Sequence, residues 1–200
     1  KKLALELSKL FLEVIIGVNF DQDALKILKR KKNLRLIDAS NFTLSEILKF
    51  TSTNDNILVQ SEDKKMFKRN DFKIVSKKKP SISLFNDLIF AFNICRYVKS
   101  NAIVLASNKS TLGIGCGQTS RLDSCQIAID KMKKFTRPFK DIVAASDAFF
   151  PFTDGIEKLV QSGVKAVIQP AGSIKDKDVI KFANETGTIL VFSKTRHFRH

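Results

Sequence analysis

Four short stretches of this 200-residue chain place side chains that could do chemistry at turns. In "SDAFFPFTDGIEKL" (146–159), Asp147 and Asp154 bracket Phe149, Phe150, Pro151 and Phe152. Pro151 would interrupt a strand ladder, so the stretch reads as the shaped end of a strand, where α/β folds bind ligands. Aromatic walls with a few fixed polar groups suit a heterocyclic ligand; simple core packing is the plainer role, above all for Phe150 and Phe152. In "GIGCGQTSR" (113–121), Gly113, Gly115 and Gly117 precede a helix. Glycine lets a backbone approach a ligand, and a helix N-terminus attracts anions. The spacing fits neither GxGxxG nor a P-loop, and a tight turn would use the same residues. Arg121 falls in the first helical turn, where a cation opposes the helix dipole; a local anionic ligand would explain it. Asn101, just before "AIVLA", offers an amide donor and acceptor, or simply a turn. Last comes "RHFRH", with Arg196, His197, Arg199 and His200. Arginine forks suit phosphate and histidine suits proton transfer, while a frayed basic tail is the alternative. Zinc-deaminase ligands (HxE with PCxxC) and the GxSxG elbow are both missing.

The elements that must position these residues follow from periodicity. Residues 81–97 carry Leu84, Leu88, Ile89 and Phe92 at helical spacing, with Ser81 or Ser83 as cap. "AIVLAS" (102–107) reads as a strand that pairs with "TLGIG" (111–115), and 120–135 reads as a helix. A strand at 141–150 leads to a helix capped by Thr153 or Asp154 and closed by Gly163 at C′. A strand, a helix and the strand "TILVFS" complete β-α-β-α-β over 141–193. The nearly unbroken apolar strands mark a parallel sheet buried on both faces, so the fold class is α/β. The first forty residues repeat the style as helix, strand, helix, strand. The polar stretch 39–56 is read as a domain boundary.

Composition sets wider bounds. The chain is 44% hydrophobic, with Phe at 17 and no Trp, which is globular. It opens "KKLALELSKL" without Met or cap, as expected of a fragment whose start lies upstream. No apolar run approaches the roughly 18 residues of a membrane span, and no signal peptide is evident; a soluble, cytoplasmic protein is expected. Cys95, Cys116 and Cys125 lack metal-like spacing, and their odd number argues for free thiols. The net charge of +15 would suit nucleic acid, an anionic small substrate or plain solvation. The runs at 29–35 and 77–79 sit at helix ends and loops, without the interleaved aromatics of single-strand binders.

Taken together, "SNAIVLA", "GIGCGQTSR", "SDAFFPFTDGI", "IQPAGSIKD" and "RHFRH" closely resemble the AICAR transformylase part of the bifunctional AICAR transformylase/IMP cyclohydrolase family of purine biosynthesis. The match extends over essentially the whole chain, including "VIIGVNFDQDALKILKRKKNLRL". The resemblance implies cytidine-deaminase-like three-layer α/β lobes without zinc, with 1–40 ending a first lobe and 41–200 forming the second. It implies formyl transfer from the cosubstrate 10-formyltetrahydrofolate to the 5-amino group of AICAR, giving FAICAR and tetrahydrofolate. It also implies a homodimer with active sites at the interface, and no nucleic-acid or membrane partner; a monovalent-cation requirement stays open. By motif, Asn101 would be catalytic and would face the reacting amide and formyl group. Arg121, Phe149, Arg196 and Glu13 would contact AICAR, while Leu122, Asp154, Ser173 and Ile174 would line the folate side. Around Glu13, "FLEVII" departs from the family's more usual Ser-Asp-Gly, and Cys116 replaces a common Ala. The family's base, a histidine beside a lysine, lies upstream together with the cyclohydrolase domain, and the resemblance gives neither His197 nor His200 that role. A non-catalytic nucleotide-binding module and a basic nucleic-acid-binding domain are the alternatives.

Overall fold

Apolar runs such as "IVLAS" and "IVAAS" have no polar face to show to water, so they belong in the middle of a covered sheet. The computed structural model describes residues 1–43, 48–136 and 138–199; His200 lies outside them. The chain divides into two compact units, Lys1–Glu62 and Asp63–His200, a division that falls beyond the expected 40/41.

The first unit contains α1 (Lys2–Ser8), β1 (Val14–Gly17), α2 (Gln22–Leu28), β2 (Arg35–Asp38), β3 (Leu48–Thr53) and β4 (Asn56–Ser61). β1 and β2 pair in parallel, from Val14 opposite Arg35 to Gly17 opposite Asp38. Ala4, Ala24 and Leu28 pack with Ile15 and Leu36 beneath them. Asp21 caps α2, accepting the Ala24 N–H at 2.6 Å, and that bond lowers its carboxyl pKa. The described part of the polar stretch 39–56 is not all linker: it supplies β3 of an antiparallel hairpin.

In the second unit are β5 (Phe72–Ile74), α3 (Ile82–Cys95), β6 (Ile103–Ser107), β7 (Ser110–Gly115) and α4 (Arg121–Lys133). They are followed by β8 (Ile142–Ser146), α5 (Asp154–Gln161), β9 (Val164–Pro170), α6 (Asp176–Glu185) and β10 (Ile189–Ser193). Six strands form one sheet in the order β5-β10-β9-β8-β6-β7. β8, β9 and β10 run parallel, as expected for β-α-β-α-β. β6 and β7 form the expected hairpin, β6 runs antiparallel to β8, and β5 adds an antiparallel edge.

The period of two along each strand builds two cores. Ile103, Leu105, Ala144, Val167 and Leu190 meet Cys125, Ala128, Ile156, Leu159 and Val179 from α4, α5 and α6. Val104, Ala106, Val143, Ala145, Ile168 and Val191 meet Leu88, Ala91, Phe92 and Cys95 of α3 on the opposite face. Ser81 caps α3 and Ser120 caps α4, each accepting the N–H three residues on. Gly163 follows α5 at φ +96, as its place at C′ requires. The sheet is thereby pinned from both sides, and its strand ends are free to carry loops.

Candidate functional site

Strand direction gathers distant segments. Ile103 of β6 lies opposite Ser146 of β8, so Asn101 falls beside the carboxyl end of β8, where the FF-P-F turn begins. β10 ends at the same edge, followed by Arg196 and Phe198, and α4 and α5 start there. A cavity of about 440 Å³ opens at this edge, lined by Asn101, Arg121, Leu122, Phe149, Asp154 and Arg196, with Thr119, Ser120, Ala148, Pro151, Phe152 and Phe198 completing the wall. Six of the nine expected contacts therefore share one cavity. Ser173 and Ile174 follow β9 outside its lining: Ser173 Oγ accepts the Lys175 N–H at 3.1 Å, and Ile174 is 99% exposed. Glu13 belongs to the first unit, exposed at the start of β1, where its carbonyl accepts the Arg35 N–H at 2.9 Å.

Behind the cavity lies a polar network. Arg121 donates through Nη1 to Ser146 Oγ at 2.9 Å and pairs with the Asp147 carboxylate; Nη2 donates to Asn101 Oδ1 at 2.7 Å. The arginine side chain is 10% exposed and the aspartate 0%. An anion within the chain, Asp147, thus stands beside the cation in the first turn of α4. Asn101 Nδ2 donates to the carbonyls of Gln118 at 2.9 Å and Thr119 at 3.1 Å, and Ser124 Oγ donates to its backbone carbonyl at 2.7 Å. Carbonyls on one side and a guanidinium on the other fix the amide's orientation. Both Nδ2 hydrogens are used, so Asn101 can offer a ligand an acceptor lone pair on Oδ1 but no donor.

The phenylalanines divide by environment. Phe150 is 1% exposed in the core, its N–H donating to Gln169 Oε1 at 3.3 Å. Phe149 is half-buried in the cavity wall. Phe152, expected to pack the core, is instead 61% exposed at the cavity, because the strand ends at Ser146 and the turn swings it outward. Asp154 heads α5 with its Oδ1 on the Gly155 N–H at 2.7 Å, while Thr153 makes no side-chain cap.

The glycines of "GIGCG" are chiefly packing residues. A Cβ on Gly113 would come within 2.0 Å of the Ala128 carbonyl, and one on Gly115 within 1.9 Å of the Ser124 carbonyl. They let β7 lie directly against α4; only Gly117, at φ +67, serves a turn. Nor is the terminal segment frayed as far as Arg199. The His197 N–H donates to the Asp147 carbonyl at 2.8 Å and the Ser100 N–H to the Arg199 carbonyl at 3.0 Å. His197 itself is buried, its Nδ1 on the Asp63 carboxylate. Thr119, Ser120 and Phe198 were not singled out as cavity residues by the sequence.

Such a site, at the carboxyl ends of three parallel strands in a mixed α/β sheet covered by helices, defines an α/β ligand-binding lobe with an aromatic and cationic cavity. The family described as AICARFT/IMPCHase bienzyme matches residues 1–131, and the chain belongs to that family. The chain is 44% identical over 196 residues to "Bifunctional purine biosynthesis protein PurH" of Persephonella marina, covering 97% of this chain. It is 44% identical over 197 residues to the protein of that name from Aquifex aeolicus, covering 98%. The chain spans 38% of the length of each relative.

Proposed function

We propose that this chain is the C-terminal part of an AICAR transformylase, which moves a formyl group from 10-formyltetrahydrofolate to the 5-amino group of AICAR. One observation carries the reading: Asn101, Arg121, Phe149 and Arg196, from four separate segments, line a single cavity with Leu122 and Asp154. In this reading the cavity lies in a cytidine-deaminase-like lobe that works without zinc, in a cytoplasmic homodimer.

The attacking amine is weakened by the neighbouring carboxamide, so its proton must leave as its nitrogen bonds to the formyl carbon. The bond from that carbon to N10 of the folate then breaks, and N10 takes up a proton. Asn101, an acceptor held by Arg121, would receive an N–H of the reacting face and orient the amine. Phe149 would stack on the aminoimidazole, and Arg196 at the mouth would meet the phosphate. Arg121, committed to Asp147 and Asn101, would act by holding Asn101 rather than by binding the nucleotide alone.

His197 is buried and tied to Asp63, which in this reading would keep it from the amine. The base would be the upstream histidine beside a lysine, as the family resemblance implies. Calorimetric titration of AICAR into the protein tests the binding half. Saturable binding is expected, weakened about tenfold or more by Arg196→Ala, the scale of a lost bond to a charged group. Equal affinity of wild type and variant would remove Arg196 from the phosphate, and no binding at all would refute the site.

A further inference from the structure

Arg196, His197 and Phe198 alternate as strand residues do, although they lie outside any strand. Arg196 and Phe198 line the cavity, while the His197 between them is 1% exposed. Its ring centroid lies 4.4 Å from that of Phe92 and 5.0 Å from that of Phe67, so two aromatic rings enclose it. Nδ1 meets the Asp63 carboxylate, and Nε2 is buried with no hydrogen-bond partner among the described residues. Among the described residues Asp63 is therefore the side chain's one polar tether. It is itself oriented, with Oδ1 accepting the Lys65 N–H at 3.3 Å.

An apolar side chain would fill this box without burying a polar edge. What imidazole adds is direction, because the bond to Asp63 fixes the rotation of the ring. The His197 N–H, on the carbonyl of Asp147, fixes the backbone at the same residue. Asp147 also holds Arg121, so the histidine's setting is continuous with the network behind Asn101.

We propose that His197 is a positioning residue: its bond to Asp63 inside the Phe67–Phe92 box sets Arg196 and Phe198 in the cavity. The proposal rests on the transformylase reading for what the cavity binds, but not for the anchoring itself. In the full-length protein, His197→Leu keeps the apolar fill and removes the bond, whereas His197→Asn keeps a donor where Nδ1 stands. Two readouts apply, steady-state kinetics and amide hydrogen exchange over 194–199.

For His197→Leu, KM for AICAR should rise about tenfold, the scale of losing a hydrogen bond to a charged group. KM for 10-formyltetrahydrofolate and kcat should change little, exchange at Phe198 and Arg199 should quicken, and His197→Asn should restore most of both. A folded Leu variant with wild-type KM and exchange would overturn the proposal. Faster exchange with unchanged KM would overturn it too, leaving His197 as a structural anchor only. Should the Leu variant fail to fold, Asp63→Ala, whose side chain is 34% exposed, carries the same test with the same outcomes. If the wild-type protein transfers no formyl group, the transformylase reading fails, while hydrogen exchange still decides the anchoring.

Discussion

Arg121 shows how one side chain can serve both stability and the site. Its partner Asp147 is fully buried, and removing one member of a buried pair strands the other's charge. Asp147→Ala should therefore cost about 3–5 kcal/mol in urea denaturation and abolish AICAR binding as Asn101 loses its orientation. A loss below about 1 kcal/mol, the range of exposed pairs, would contradict the burial. Phe149→Ala in the full-length enzyme should raise KM for AICAR about three- to tenfold, the scale of one lost ring stack, with folding intact; unchanged kinetics would remove Phe149 from the stacking wall. Asn101, Arg121, Phe149 and Arg196 were legible as types at strand and helix ends. Their partners were not, since Arg121 finds Asp147 only once β6 and β8 have paired. His197 was hidden for the same reason: Asp63, Phe67 and Phe92 are remote in sequence, and a terminal basic run suggests solvent.

At the scale of elements, the contact between β7 and α4 depends on having no side chain at Gly113 and Gly115. Gly115→Ala would drive a methyl into the Ser124 carbonyl, and Ser124 also braces Asn101. The variant should lose about 1–3 kcal/mol or more, the usual cost of overpacking, and its Tm should fall; an unchanged Tm would mean that α4 can shift freely. The parallel strands, their helices and a serine cap ahead of α3, at Ser81 or Ser83, were readable because hydrophobic period and cap chemistry agree there. β3 and β4 were not. Their side chains are almost all exposed on both faces, so no buried face distinguishes them. β5, three residues long, is an edge strand that owes its existence to β10.

For the whole molecule, burial also governs the thiols. The Cys125 thiol is pushed from 9.0 up to about 12, mainly by desolvation, and Cys95 is raised well above its ordinary value for the same reason. The unfolded chain would release the Cys125 proton from about pH 9.0 while the folded chain holds it to about pH 12, and burial raises Cys95 in the same direction. Stability should fall as pH rises through that window, by up to about 1.4 kcal/mol per pH unit for each thiol, as denaturation at stepped alkaline pH would measure. At neutral pH a thiol reagent should modify exposed Cys116 and reach buried Cys95 and Cys125 only on unfolding. Among the described residues no helix is long and apolar enough to cross a membrane. In the proposed function, residues 1–200 carry an AICAR-binding half-site whose base lies elsewhere in the enzyme. Formyl transfer should be assayed with AICAR and 10-formyltetrahydrofolate, for the full-length protein beside residues 1–200 alone. The full-length protein should transfer the formyl group, and residues 1–200 should bind AICAR without transfer. A folded full-length protein that transfers no formyl group, or turnover by residues 1–200 alone, would contradict this reading.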